Sequence, residues 1–253
     1  MAKLERVDKI LANMGYGSRS EVKKLIKYGR VNVNGSCVKD ASRKVSPDDS
    51  EITVDGGERL KFEKYVYLML NKPKGYISAT HDARKRTVAE LIPEAYRHYD
   101  PFPVGRLDID TEGLILLTND GELCHCLLSP RKHVEKRYAA TLDKSVDERV
   151  IKAFRDGVLI DGGYVCKSAG LKIIKSAQVE RTELEGVKVE VAITEGKYHQ
   201  IKRMFAAFGI NVLQLKRIEI AGLKLDSELK PGKVRELMPH EIKLLMSQIS
   251  QVR

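Results

Sequence analysis

The chain has no tryptophan, and aromatic residues fill only 6% of its 253 positions. Flat ring platforms for sugars are therefore scarce, which argues against a carbohydrate enzyme. Cys37, Cys124, Cys126 and Cys166 form no C-x-x-C pair and are too sparse for a secreted disulfide scaffold. Cys124-His125-Cys126 is not read as a metal site, because adjacent side chains diverge and thiols inside an apolar helix belong to a core. No apolar run approaches the roughly 18–20 residues of a membrane span. Residues 1–5 carry charge and lead into an amphipathic pattern with no signal-peptide block, so a cytoplasmic location is expected.

Positive charge is what the chain has in excess. Lys and Arg number 45 against 35 Asp and Glu, a formal net charge of +10. Such a balance points to a polyanionic partner, since each phosphate contact takes a cation and releases a counterion. With 42% hydrophobic residues the chain can bury a real core in one or two domains.

Charge and apolar pattern meet most sharply in residues 104–121, VGRLDIDTEGLILLTNDG. Arg106, Asp108, Asp110 and Glu112 crowd a loop or strand end, and Leu114-Ile115-Leu116-Leu117 follows between Gly113 and an Asn119-Asp120-Gly121 turn. The run reads as a buried strand with ionisable groups at its rim, where side chains are both held and reachable.

Before this stretch, Val7, Ile10, Leu11 and Met14 fall at i, i+3, i+4 and i+7, a helix broken by Gly15 and Gly17. Ser18-Arg19-Ser20-Glu21 is a capping box for a second helix, which buries Val22, Leu25 and Ile26 and stops at Gly29. Arg19, Lys23, Lys24 and Lys27 share its other faces, an arrangement that fits a row of phosphates. A strand over 30–33 turns at Asn34-Gly35, Pro47-Asp48-Asp49-Ser50 turns again, and 51–54 is a last strand. The run GYGSRSEVKKLIKYGRVNVNG resembles the S4-type RNA-binding domain, which implies that Arg19, Lys23, Lys24 and Lys27 lie against RNA backbone.

Asp55-Gly56-Gly57-Glu58 reads as a hinge, giving an RNA-binding domain over 1–57, a linker over 58–64 and a larger domain over 65–253. In the latter, a strand over 65–70 is closed by Asn71-Lys72-Pro73-Lys74-Gly75. His81, Arg84, Lys85 and Arg86 mark a basic loop, and a helical turn follows near 88–92. Further along come a helix to about 128, an alternating strand over 135–142, and a helix carrying Val146, Val150, Ile151 and Phe154 that ends at Gly157. Strands near 171–175, 178–184 and 187–193 complete a sheet-rich α+β body.

A second chemical cluster spans 195–205, EGKYHQIKRMF. Ile201, Met204, Phe205 and Phe208 keep helical spacing, while His199, Lys202 and Arg203 gather off that stripe. Cations in a first turn oppose the helix dipole, so an anionic partner is expected, a carboxylate or a phosphate. Asp108 and Lys202 are the natural pair, and Lys202 would keep Asp108 ionised.

NKPKG at 71–75, GRLDIDTEGLILLTNDG at 105–121, EKRYAATL at 135–142 and EGKYHQIKRMFAAFG at 195–209 together resemble the pseudouridine synthases, and with the S4-like front the branch that modifies small-subunit (16S) ribosomal RNA. The resemblance implies an α+β fold with a mixed, mostly antiparallel sheet flanked by helices around an RNA cleft. It implies that Asp108 is the catalytic carboxylate, that Tyr138 stacks on a flipped-out uracil, and that Lys202 pairs with Asp108. Arg106 matches a residue that holds the RNA, and Lys72 and Pro73 match a motif that supports the site. His199 and Arg203 are placed with the RNA contacts. Neither metal nor nucleotide cofactor is implied. The partner would be ribosomal RNA, free or in an assembling particle, met by a monomer without any membrane. Asp110, pointing away from Asp108 in an extended segment, is taken as structural. Three readings remain open: a synthase acting on 23S RNA, a non-catalytic ribosome-assembly factor, and a glycosidase-like hydrolase pairing Asp108 with Glu112 or Asp110.

Overall fold

In a computed structural model that describes residues 4–47, 50–60, 63–174 and 186–250, without the side chains of 248–250, the first amphipathic stripe forms α1 (Val7–Asn13). After Gly15 and Gly17 the chain enters α2 (Arg19–Lys27), whose expected capping box is present: Ser18 Oγ accepts from the Glu21 amide, and Glu21 accepts from the Ser18 amide at 2.7 Å. Strands β1 (Val31–Val33), β2 (Ser36–Cys37) and β3 (Ile52–Val54) form one small sheet in the order β2-β1-β3. Asn34 and Gly35 turn β1 into β2 with φ of 52° and 73°, the left-handed pair that a tight two-residue hairpin demands. Ile10, Leu11, Val22, Ile26 and Val31 are fully buried together, so this unit has its own core. Asp48 and Asp49 of the second expected turn, and the expected strand over 178–184, lie outside the described residues.

By contact density the chain falls into two units, one of Met1–Val66 with Pro93–Pro101 and one of Tyr67–Ile92 with Phe102–Arg253. The second is built on β4 (Tyr67–Lys72), β5 (Glu112–Thr118), β6 (Lys136–Leu142), β7 (Gly170–Ile173), β8 (Val187–Ile193), β9 (Val212–Ile220) and β10 (Val234–Glu236). They are the spine of a nine-stranded sheet in the order β7-β8-β6-β9-β5-β4-β10, antiparallel throughout except where β9 runs parallel to β5. The fold class is therefore the expected one, a small helical and β unit followed along the chain by a mixed and mostly antiparallel sheet flanked by helices. Two boundaries differ. The first strand of the large unit runs on through Asn71 and Lys72, because both pair with β5. Asn119-Asp120-Gly121 is a helix start, Asp120 accepting from the amides of Glu122 and Leu123 to cap α3 (Gly121–Leu128).

Helices α3 and α6 (Pro239–Ser250) cover one face of the sheet, where Leu123, Leu127 and Leu245 meet Met69, Leu114 and Leu116. Phe154 of α4 (Glu148–Asp156) packs against Phe205 of α5 (Gln200–Ala206), ring centroids 4.8 Å apart. The parallel junction of β5 and β9 depends on Gly113. Its φ is +102°, and a Cβ there would stand 2.2 Å from the Arg217 carbonyl oxygen and 2.8 Å from its nitrogen. Backbone atoms in a paired strand cannot step aside, so Gly113→Ala is expected to cost roughly 3 kcal/mol or more, a fall of about 6–12 °C in melting temperature. An unchanged thermal scan would mean that the junction yields.

Candidate active site

The loop between Gly105 and Glu112 is anchored from inside by a lysine. Lys72 closes β4, is fully buried, and donates through Nζ to the carbonyls of Thr111 (2.7 Å), Asp108 (3.0 Å) and Pro73 (3.1 Å), with that of Ile109 at 3.5 Å. One ammonium thus gathers most of the loop's backbone, and the Thr111 amide bonds Asp108 O at 3.0 Å to close the turn. Burial pushes the Lys72 amine down to about 8, against the opposing pull of Asp110, Glu112 and Asp108. Lys72 and the Pro73 carbonyl, expected from the sequence near the site, lie together against the loop that carries Asp108.

Because the loop turns, its two aspartates face the same helix end. Lys202 of α5 places Nζ 2.6 and 2.7 Å from the two Asp110 oxygens and 3.7 Å from Asp108 Oδ2. His199 Nε2 lies 3.6 Å from Asp108 Oδ1. The expected approach of Lys202 to Asp108 is there, but the lysine's hydrogen bonds go to Asp110. The expectation that Asp110 points away from Asp108 fails with its premise, since residues 109 and 110 form a turn and not an extended strand. For Asp110 burial raises the carboxyl, and the hydrogen bond and charge of Lys202 more than reverse this, leaving it below the usual range. The Asp108 carboxylate, 28% exposed, accepts no hydrogen bond from the described residues and stands open to a ligand.

The cationic helix end is fixed by its own network. Glu195 accepts from Tyr164 Oη (2.7 Å), the Lys167 amide (2.9 Å) and Gln200 Nε2 (2.7 Å). His199, in a left-handed conformation with φ +50°, turns the chain into α5 and stacks on the exposed Tyr198 ring at 3.8 Å. Arg203 belongs elsewhere: Nε and Nη2 hold the side chain and carbonyl of Asp161, each at 2.5 Å, and Nη1 holds Tyr198 O. The first-turn cations do find anions, and these are protein carboxylates, with Arg203 occupied apart from the Asp108 pair.

Beside the loop lies a cavity of about 580 Å³. Tyr138 and Lys136 of β6, Arg217 of β9 and the exposed Arg106 line it, along with apolar Pro103 and Leu128. Asp108 is not on this lining, but Leu107 beside it exchanges two hydrogen bonds with Ser78 Oγ, which is. Tyr138 on this lining is buried, 7% exposed. Arg217 is 2% exposed and was not among the candidate residues of the sequence. The signal available was its phase: it follows Leu215 at i+2, so a cation occupies a core-facing position of a strand.

Within the N-terminal unit Arg19, Lys23, Lys24 and Lys27 are all exposed on α2, opposite buried Val22 and Ile26. Arg30 is paired with Asp55 at 2.6 Å. In the larger unit the basic loop is ordered by Asp82, which accepts from the amides of Arg84 and Lys85, while Arg86 lies over the Tyr76 ring at 4.2 Å.

Comparison with known proteins gives two matched regions. Residues 66–207 match the RNA pseudouridylate synthase family and residues 5–50 the S4 domain. An uncharacterized RNA pseudouridine synthase of Bacillus subtilis is 45% identical over 240 residues, 95% of this chain and 98% of its own. The ribosomal small subunit pseudouridine synthase A of Escherichia coli is 38% identical over 238 residues, 94% of this chain and 98% of its own. A crystal structure described as a pseudouridylate synthase, 36% identical, superposes with a TM-score of 0.64 over 95% of this chain and 99% of that one.

Proposed function

The chain belongs to the RNA pseudouridylate synthase family, and from that premise we propose that it isomerises one uridine of small-subunit (16S) ribosomal RNA to pseudouridine, with Asp108 as the catalytic carboxylate. The observation that carries the substrate is the likeness, along nearly the whole chain and including its S4 region, to a relative named for the small ribosomal subunit. The reaction breaks the N1–C1′ bond, turns the base and rejoins it through C5, with no oxidation and no hydrolysis. Asp108 acts on the ribose or the base as nucleophile or base. His199 and Lys202 stand within 4 Å of it and line its side of the loop. Tyr138 stacks on the uracil once the nucleotide leaves its helix, and Arg106 holds the strand that has given it up. Unstacking costs a few kcal/mol, offset by stacking and by phosphate contacts along Arg19, Lys23, Lys24 and Lys27. The enzyme works in the cytoplasm on ribosomal RNA.

Carbodiimide mapping of pseudouridine in the large ribosomal RNAs tests this reading. In cells lacking the protein one 16S position is expected to lose its modification, and wild type but not Asp108→Asn is expected to restore it. Loss of a 23S position instead would move the substrate to the large subunit. No change in either RNA would overturn the ribosomal assignment.

A further inference from the structure

Arg217 stands out as a buried cation that forms no ion pair with a carboxylate among the described residues. Its guanidinium lies on a core-facing position of β9, 2% exposed, with Nε donating to Leu114 O at 2.7 Å. Nη2 is buried and has no hydrogen-bond partner among the described residues. Buried charges are paired as a rule, since an unpaired one forfeits its hydration for nothing. The Arg217 side chain lines the 580 Å³ cavity, in register with Tyr138 on the neighbouring strand.

A second cation shares the predicament. Lys136 lines the same cavity and donates to Val134 O at 2.8 Å. Burial, and then the charge of Arg217, lower its amine to about 8. The one carboxylate on the lining, Glu195, already accepts from Tyr164, Lys167 and Gln200. Among the described residues, Arg217 and Lys136 therefore share this lining with no carboxylate paired to either. The missing negative charge has to arrive with a ligand.

We propose that Arg217, assisted by Lys136, is the oxyanion-binding residue of the synthase: its guanidinium donates to a carbonyl oxygen of the target uracil and holds the negative charge that builds on the ring. This rests on the synthase reading. When the N1–C1′ bond breaks, its electron pair goes to the base, and the uracil monoanion spreads its charge over N1 and the ring oxygens. The C5–C1′ bond then forms from the ring's π electrons, C5 gives up its proton, and N1 takes one up, so the product is an isomer of the substrate. A ring fits this place better than a phosphate does. The aromatic face of Tyr138 and the apolar Pro103 and Leu128 flank the two cations, whereas Arg106, Lys167 and Lys197 on the same lining are exposed and available to the strand's phosphates. A donor set beforehand at the point where charge develops acts on the chemical step more than on binding.

The test is single-turnover kinetics with the full-length enzyme and RNA carrying uridine, 2-thiouridine or 4-thiouridine at the target position, sulfur being the weaker acceptor. Arg217→Gln and Arg217→Lys are each expected to slow the chemical step roughly 10²-fold while the Kd for RNA changes less than about twofold. At least one thio substitution is expected to slow wild type, and to slow the variants much less, because the bond it weakens is already gone. A Kd that weakens with a salt slope smaller by about one would transfer Arg217 to a phosphate and overturn the proposal. So would thio effects of equal size in wild type and variant. Should both variants fail to fold, wild type alone decides: equal rates on all three targets end the proposal. Absence of any pseudouridine from wild type on the uridine RNA would instead count against the synthase reading beneath it.

Discussion

Asp108→Asn is expected to reduce single-turnover pseudouridine formation by roughly 10³- to 10⁵-fold, about 4–7 kcal/mol of barrier, with the RNA Kd and the melting temperature nearly unchanged. The substitution keeps the size and shape of the side chain and removes only its charge and nucleophilicity. Nothing in the described structure hangs on those oxygens, whose nearest cations stand 3.6 and 3.7 Å away. Asp110 is the necessary comparison, because it lies in the same loop and binds Lys202 more closely. Asp110→Asn is expected to cost less than about tenfold, the lysine then turning to Asp108 for its partner. If the two variants lost activity equally, the carboxylates would be acting as a pair and Asp108 would lose its singular role. If Asp110→Asn alone were dead, the assignment would be reversed.

Local chemistry was readable where one segment decides its own conformation. The Ser18 box, the Asn34-Gly35 hairpin and the apolar run Leu114-Leu117 each appear where side-chain type and spacing put them. The approach of Lys202 to Asp108 was also legible, because unpaired charge in two distant stretches asked for a partner, whereas His199, read as an RNA contact, lies beside Asp108. Two things were not. The direction of Asp110 depended on whether 105–112 is extended or turned, and what turns it is Lys72, some 36 to 39 residues earlier in the chain. Arg217 went unnoticed because its meaning comes from a parallel strand pairing across roughly a hundred residues, with Leu114 O as its partner. Local periodicity cannot reveal either contact, since both are set by which strands lie side by side.

Lys72 carries the prediction with the plainest pH signature. Lys72→Met fills the same enclosed space but gives the carbonyls of Pro73, Asp108 and Thr111 no proton to share. A displacement of the loop by about 1 Å costs on the order of 10² in rate, so activity is expected to fall roughly 10²- to 10³-fold. The same contacts oppose stability and activity as pH rises. Burial holds the folded-state amine at about 8, below its ordinary 10.5. Between those values the unfolded chain keeps a proton that the folded chain has lost, so this group's contribution to stability increases with pH across the window. Below about 8 it is charged in both states, and its desolvation cost is present in full. Catalysis should run the other way, because a neutral amine offers two N–H donors and turns a lone pair toward carbonyl oxygens, which loosens the loop that carries Asp108. The expected profile is an alkaline fall in the single-turnover rate centred near pH 8 while the melting temperature holds or climbs. Lys136, also near 8, is separated by its own variant: Lys136→Met should keep the alkaline fall, and the residual activity of Lys72→Met should lack it. An unchanged fall in Lys72→Met, or its loss in Lys136→Met, would shift the control of the loop's chemistry from the buried lysine to the cavity wall.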